Sequence, residues 1–138
     1  MAAAPFDGKS VLVVDDDPDI VTAIRAMLAD TGAKITTVSD GNSAVDVAVG
    51  EAPDLVILDA MLPKRSGFLV LEKLKAKKGR GQKPYVIMIT GNQGKRHEEL
   101  AASLGVDAYI HKPFRMEKLM QATERLLQTP ADQNKAKP

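Results

Sequence analysis

The chain has 138 residues, 44% apolar and 27% charged, which fits one domain of ordinary size with a usable core. It has no cysteine, so disulfides and thiolate metal sites are excluded, and a reducing, cytoplasmic setting is expected. No apolar run reaches the ~18 residues needed to cross a membrane, and the first ten residues lack the basic and apolar blocks of a secretion signal.

Apolar runs and amphipathic stretches alternate along the chain. The first run, 11–14, is followed by a stripe of Ile20, Ile24, Met27 and Leu28, with Asp17 or Asp19 placed to cap it and Gly32 as a stop. The second run, 35–38, precedes a shorter stripe of Ala44, Val45, Ala48 and Val49, with Pro53 beyond. The third, 55–58, leads to Phe68, Val70, Leu71 and Leu74. The fourth, 85–89, leads to Leu100, Ala101 and Leu104, closed by Gly105. The fifth, 108–110, leads to Leu119, Met120, Thr123, Leu126 and Leu127.

The runs are short, rich in β-branched residues and continuously apolar, as strands covered on both faces are. Five βα repeats imply an α/β doubly wound fold, a five-stranded parallel sheet with helices on both faces and right-handed crossovers. In such sheets ligands gather outside the carboxyl ends of the strands. Residues 1–8 read as an N-terminal extension, 9–128 as the domain, and 129–138 as a polar disordered tail or linker.

Charge is divided unevenly. Residues 1–62 carry 3 basic and 11 acidic side chains, a balance of −8, whereas residues 63–138 carry 16 and 7, a balance of +9. The basic run of Lys73, Lys75, Lys77, Lys78, Arg80 and Lys83 reads as a solvated helix face and loop. It lacks interleaved aromatics, so direct nucleic-acid contact is not expected.

The strand ends carry the chemistry. Strand one ends in Asp15-Asp16-Asp17, strand three in Asp59, strand four in Thr90-Gly91, and strand five is followed by Lys112-Pro113. Strand two ends in Ser39-Asp40, at the sheet edge. Carboxylates brought close together repel and raise one another's pKa. Oxygen ligands without imidazole or thiol suit Mg²⁺ best. With a lysine and a hydroxyl added, the group is equipped to stabilise a transferring phosphoryl group. A carboxylate can itself be the nucleophile, giving an aspartyl phosphate.

The segments VLVVDDD, DLVILDAMLPKRSG, VIMITG and DAYIHKPF, in that order, resemble the receiver domain of two-component response regulators over most of the chain. The resemblance implies the flavodoxin-like strand order 2-1-3-4-5. It implies Asp59 as phosphoacceptor. Mg²⁺ would be held by Asp15, Asp16, Asp59 and the backbone carbonyl of Met61, and Thr90 and Lys112 would hold phosphoryl oxygens. It also implies that Gly91 leaves room for the group, that Pro113 follows a cis bond, and that Thr90 and Tyr109 form the switch.

The switch would reshape the surface of the fourth helix, fifth strand and fifth helix. The implied partners are a sensor histidine kinase or a histidine phosphotransfer protein, and a downstream protein or output domain. The implied role is phosphoacceptor, assisting its own phosphorylation and dephosphorylation, rather than an enzyme. Ala108 departs from the family: one large subgroup has an acid before the switch aromatic, used in a dimer salt bridge. The segment Lys64-Arg65-Ser66-Gly67 is more basic than is common. Met61 and Asn92 lie where the family tunes dephosphorylation.

Plainer roles stand beside these. Asp17 reads as a helix cap, His97 and His111 as solvated, and Met61, Met88, Met116 and Met120 as core or loop filler. A rival is a haloacid-dehalogenase-like phosphohydrolase, with Asp15 as nucleophile and Asp17 as acid/base. The chain is short for it and Asp59 would then be unexplained. Within the receiver reading, the short polar tail favours a stand-alone regulator over a piece of a longer transcriptional or enzymatic one.

Overall fold

The computed structural model describes residues 4–76, 78, 81–91 and 94–128. Lys77, Arg80, Asn92 and the tail 129–138 lie outside the described residues. Five strands alternate with five helices: β1 (Ser10–Val14), α1 (Pro18–Leu28), β2 (Lys34–Val38), α2 (Gly41–Glu51), β3 (Leu55–Asp59), α3 (Gly67–Leu74), β4 (Tyr85–Thr90), α4 (Lys95–Ser103), β5 (Ala108–His111) and α5 (Met116–Leu127). The sheet is parallel, in the order β2-β1-β3-β4-β5, as the βα repeat and the resemblance imply.

Successive strand residues point to opposite faces, so each buried strand feeds two cores. Val11, Val13, Ile57, Ile87 and Ile89 pack toward α1 and α5, against Ile24, Leu28, Leu119 and Leu126. Leu12, Val14, Leu58 and Met88 pack on the other face, with Val70, Leu71 and Ala101 of α3 and α4. The three inner strands are nearly inaccessible, which is why their sequences show no alternation. β2 and β5 form the edges and are only half-buried for most of their length.

Helix starts follow side-chain caps. Asp17 accepts a hydrogen bond from the Asp19 amide at the head of α1, with Pro18 in the first turn. Asp40 accepts from the Ser43 amide on α2, and Ser66 from the Leu69 amide on α3. At Gly67, a Cβ would run into the backbone of Asp59 and Ala60, so α3 begins in direct contact with the end of β3. The Gly67 amide donates to the Ala60 carbonyl at 2.9 Å.

Several expected packing positions differ. Val49, counted on the α2 stripe, is 74% exposed, and Leu100 on α4 is 44% exposed. Each lies at the margin of a helix with a narrow buried stripe: Gly41, Ala44, Val45 and Ala48 on α2, and Ala101 alone on α4. α1 ends at Leu28, and Gly32 (φ 83°) instead makes the turn into β2. Phe6, ahead of the first strand, is fully buried, and its amide donates to the Thr31 carbonyl at 2.7 Å.

Lys75 overturns the reading of the basic run as wholly solvated. Its side chain is inaccessible, with Nζ 2.9 Å from Asp107 Oδ2 and donating to the Gln82 carbonyl at 2.6 Å. Asp107 also accepts from the amides of Gly81 and Val86 at 2.6 and 2.8 Å. The pair fastens the end of α3 to the first residues of β4 and β5.

Removing one member of a buried, fully hydrogen-bonded pair strands the other charge. Lys75→Met should therefore lower unfolding free energy by about 3–5 kcal/mol, read from urea denaturation. A loss below about 1 kcal/mol, the scale of a surface pair, would show that the pair is solvated in solution.

Candidate functional site

The carboxyl ends of β1, β3 and β4 and the loop after β5 converge on one rim of the sheet. Asp15 continues β1, its amide donating to the Val38 carbonyl at 3.2 Å, and its side chain is buried. One of its carboxylate oxygens accepts from the Asp17 amide at 2.9 Å, a local turn that also brings Asp17 to the cap of α1. Asp16 lies beside it, exposed. Asp59 ends β3 and is buried, and Oδ1 accepts from the Met61 amide at 3.1 Å. Oxygens of Asp15, Asp16 and Asp59 all lie within 4.8 Å of one another.

Lys112 faces this group. Its amide donates to the Thr90 carbonyl at 2.7 Å, holding the chain beside β4 just past the last residue of β5. The Lys112–Pro113 peptide is cis, as the resemblance implies. Nζ of Lys112 stands 3.6 Å from Asp15 Oδ2 and 3.7 Å from Asp59 Oδ2. It lies between the two carboxylates without closing tightly on either.

Electrostatics follow from this geometry. Burial pushes the Asp59 carboxyl up to about 6. The Met61 amide and Lys112 oppose that rise, while the neighbouring Asp15 and Asp16 charges add to it. Asp15 is raised for the same leading reason, burial. These carboxylates are held together at a cost, and a hard cation would relieve it. The donor set is all oxygen and exposed on the Asp16 side, which fits Mg²⁺ with part of its water shell retained.

Thr90 ends β4 and is fully buried. A Cβ at the neighbouring Gly91 would meet nothing within 4 Å, so there is open space beside the threonine. Tyr109 on β5 is half-buried, and its hydroxyl lies by Thr90 and within electrostatic reach of Glu98. That hydroxyl is buried, and the hydrogen-bonding group beside it is the Thr90 side chain. Burial raises its pKa above the usual tyrosine value.

The two histidines, expected to be solvated, are half-buried against this face instead. His111 meets Tyr109 edge-on, 5.2 Å between centroids, and its Nε2 is 3.5 Å from Glu98 Oε1. His97 packs on Phe68 at 5.4 Å. The Met61 side chain is 64% exposed, Met88 is core, and Met116 and Met120 are partly buried.

The profile of the response regulator receiver domain matches residues 11–124. The chain belongs to the response regulator receiver domain family. Among its relatives, the alkaline phosphatase synthesis transcriptional regulatory protein PhoP of Bacillus subtilis is 39% identical over 77% of this chain and 43% of its own length. The probable transcriptional regulatory protein TcrX of Mycobacterium tuberculosis is 37% identical over 88% of this chain and 51% of its own length. The chain thus spans about half the length of these curated relatives.

The receiver domain of the sensor histidine kinase PA1611 from Pseudomonas aeruginosa PAO1 superposes with a TM-score of 0.75 at 31% identity. It covers 88% of this chain and 99% of its own, and its structure carries a magnesium ion in the active-site cleft. The chain is therefore a receiver domain of a two-component response regulator, and its cluster of Asp15, Asp16 and Asp59 fits the phosphorylation site of such domains. Receiver domains are phosphoacceptors rather than conventional enzymes.

The raised Asp59 carboxyl has a consequence for stability. Its folded pKa, about 6, exceeds the ordinary value of 3.8. The contribution is complete below pH ~4 and is lost as pH rises through about 6. In metal-free buffer, Asp59→Asn should therefore raise unfolding free energy at pH ~7.5 by about 1–2 kcal/mol and give no gain at pH ~3.5. Denaturation at the two pH values, with chelator, checks this. Equal effects at both would remove the electrostatic cause.

Proposed function

We propose that Asp59 accepts a phosphoryl group from a phosphohistidine of a sensor histidine kinase or a histidine phosphotransfer protein. The observation that carries this reading is the meeting of the Asp15 and Asp59 carboxylates with Lys112 Nζ, at 3.6 and 3.7 Å respectively, on the carboxyl rim of the sheet. In the transfer, an Asp59 oxygen forms the new bond to phosphorus as the phosphorus–nitrogen bond of the donor breaks, and the electron pair leaves with the imidazole. Asp59 needs to be ionised, and above pH about 6 it is. Lys112 stands where negative charge collects on the phosphoryl oxygens.

Asp15, Asp16, Asp59 and the Met61 carbonyl would hold Mg²⁺. When bound, the ion neutralises the clustered carboxylates and the charge of the incoming group. Asp15 and Asp16 keep the site acidic, and the Asp17 and Met61 amides fix which carboxylate oxygens face inward. The same residues would assist hydrolysis of the aspartyl phosphate.

The Thr90 hydroxyl then moves to the phosphoryl oxygens, and Tyr109 turns into the space it leaves. The Tyr109 hydroxyl supports this, because its neighbouring hydrogen-bonding group is the Thr90 side chain, so a move of Thr90 acts on it directly. A cavity of about 570 Å³, bordered by Glu98, Tyr109, Lys118 and Arg125, lies on the surface of α4, β5 and α5 that would change. Phosphorylation shifts the populations of two forms of that surface, read by a downstream protein or output domain. Ala108 gives no acid for the subgroup's dimer salt bridge. The working unit is residues 9–128, with Phe6 of the preceding extension packed beneath it.

With acetyl phosphate and Mg²⁺, intact mass should show one added phosphoryl group, abolished in Asp59→Asn and reduced at least about tenfold in rate in Lys112→Ala. Label that persisted in Asp59→Asn and mapped to Asp15 would favour a phosphohydrolase of the haloacid-dehalogenase type instead. Beryllofluoride with Mg²⁺ should shift the Tyr109 ring resonances in the wild type and leave them in place in Thr90→Ala. Identical shifts in both would detach the threonine from the switch.

A further inference from the structure

Among the described residues, two of the four exposed large apolar side chains, Val49 and Leu69, lie on the side of α2 and α3, at 74% and 55% exposure. Neither belongs to the switch surface of α4, β5 and α5. Two cavities run along this side, in the seam between α2 and α3. One, of about 460 Å³, is floored by Ala48, Pro53 and Leu74 and edged by Val49, Lys78 and Lys83. The other, of about 590 Å³, lies between Val45, Arg65 and Leu69. Lys73 and Ala76 line both, so the two form one trough.

The trough is positive. Arg65, Lys73, Lys78 and Lys83 border it, against Glu72 and Asp54, and Asp54 is already paired with Lys83 at 2.9 Å. Its walls are aliphatic at helical spacing: Val45, Ala48, Val49 and Ala52 on one side, Leu69, Lys73 and Ala76 on the other. Such a groove takes the apolar stripe of an amphipathic helix, with flanking carboxylates reaching the basic rim. Among the described residues no aromatic side chain borders it, so these offer nothing for bases to stack on.

We infer that the seam between α2 and α3 is a docking groove for an acidic, amphipathic helix of a partner protein. Val49 and Leu69 anchor its apolar stripe, and Arg65, Lys73 and Lys78 select its charge. This surface is separate from the phosphoacceptor pocket, and neither Mg²⁺ nor Asp59 takes part in it. Rim charges of this kind set specificity and encounter rate, and the aliphatic floor supplies area.

The test uses the full isotope-labelled chain and three synthetic helical peptides of about 16 residues, roughly 24 Å when helical. One carries a leucine stripe flanked by glutamates, one has lysine in place of each glutamate, and one has serine in place of each leucine. A short oligothymidylate is the fourth probe. The first peptide should move the amide resonances of Val45, Val49, Leu69 and Lys73, with micromolar affinity. Val49→Asp and Lys73→Glu should each weaken it about tenfold or more. Both positions are exposed, and both variants should take up phosphate from acetyl phosphate as the wild type does, which separates loss of the groove from failure of the phosphoacceptor reading. Equal binding of the lysine peptide, shifts confined to the α4-β5-α5 surface, or oligothymidylate occupying the seam in preference to the peptides would each overturn the proposal.

Discussion

Two acidic side chains, Asp15 and Asp59, are buried within reach of each other at the ends of neighbouring parallel strands, and a single lysine stands opposite at more than 3.5 Å from both. Everything else at the carboxyl rim follows from managing that charge. The register of β1 and β3 aligns Val14 with Leu58, so the two strands run out together and their next residues are both aspartates. The Asp17 and Met61 amides each satisfy one carboxylate oxygen and leave the other free to face the centre. Gly67 lets α3 start against the backbone of Asp59 and Ala60, which fixes the loop after β3 where Met61 lies. The inner strands are sealed on both faces by apolar cores, so the acids cannot retreat into a more solvated position.

The opposite end of the sheet uses the same residue types to a different end. Asp54 accepts from the Ser10 amide at 2.8 Å and from Lys83 at 2.9 Å. Burial alone would raise its carboxyl, but the Lys83 and Ser10 hydrogen bonds outweigh burial and hold it below the usual range. Asp107 and Lys75 are closed just as tightly, with backbone groups completing both. At this pole each carboxylate has the partners it needs in the folded chain. At the carboxyl pole it does not, and Asp59 sits near 6 as a result. A lysine beside an aspartate thus reads as structure or as function according to whether the pair is closed and its remaining lone pairs filled.

The reading from sequence was strongest where the physics is local. The five apolar runs fall inside the five strands, because fully buried strands must be continuously apolar. The placement of Asp15, Asp59, Thr90 and Lys112 on one rim follows from parallel topology alone, since every strand then ends on the same side. Positions decided by contacts distant in sequence were not legible. Lys75 looked like one of six cations in a solvated run, and only the arrival of Asp107 from 32 positions away buries it. A signal was present in retrospect: Asp54 and Asp107 each stand immediately before an apolar run, where a carboxylate is well placed to accept from strand-initiating amides. Val49 carried the right period for a core residue and lies at the margin of a trough instead. Phe6 precedes every periodic element, so nothing local marks it as core.

Whether a phosphoryl group at one rim can alter a distant surface depends on how tightly each element is tied down. β4 and β5 are anchored firmly at their starts, where Asp107 bonds to both Gly81 and Val86. At their ends, the Lys112 amide bonds to the Thr90 carbonyl at 2.7 Å, while His111 meets Glu98 only at 3.5 Å. Backbone bonds hold both ends of this half of the sheet, and the looser contacts at the carboxyl end are between side chains. In the proposed switch, a change at Thr90 would be taken up by the side chains of Tyr109, His111 and the adjoining α4, and not transmitted along the strands to the closed pairs beneath. That asymmetry would let a small charge change produce a rearrangement confined to one face while the fold stays intact, as a two-state element requires.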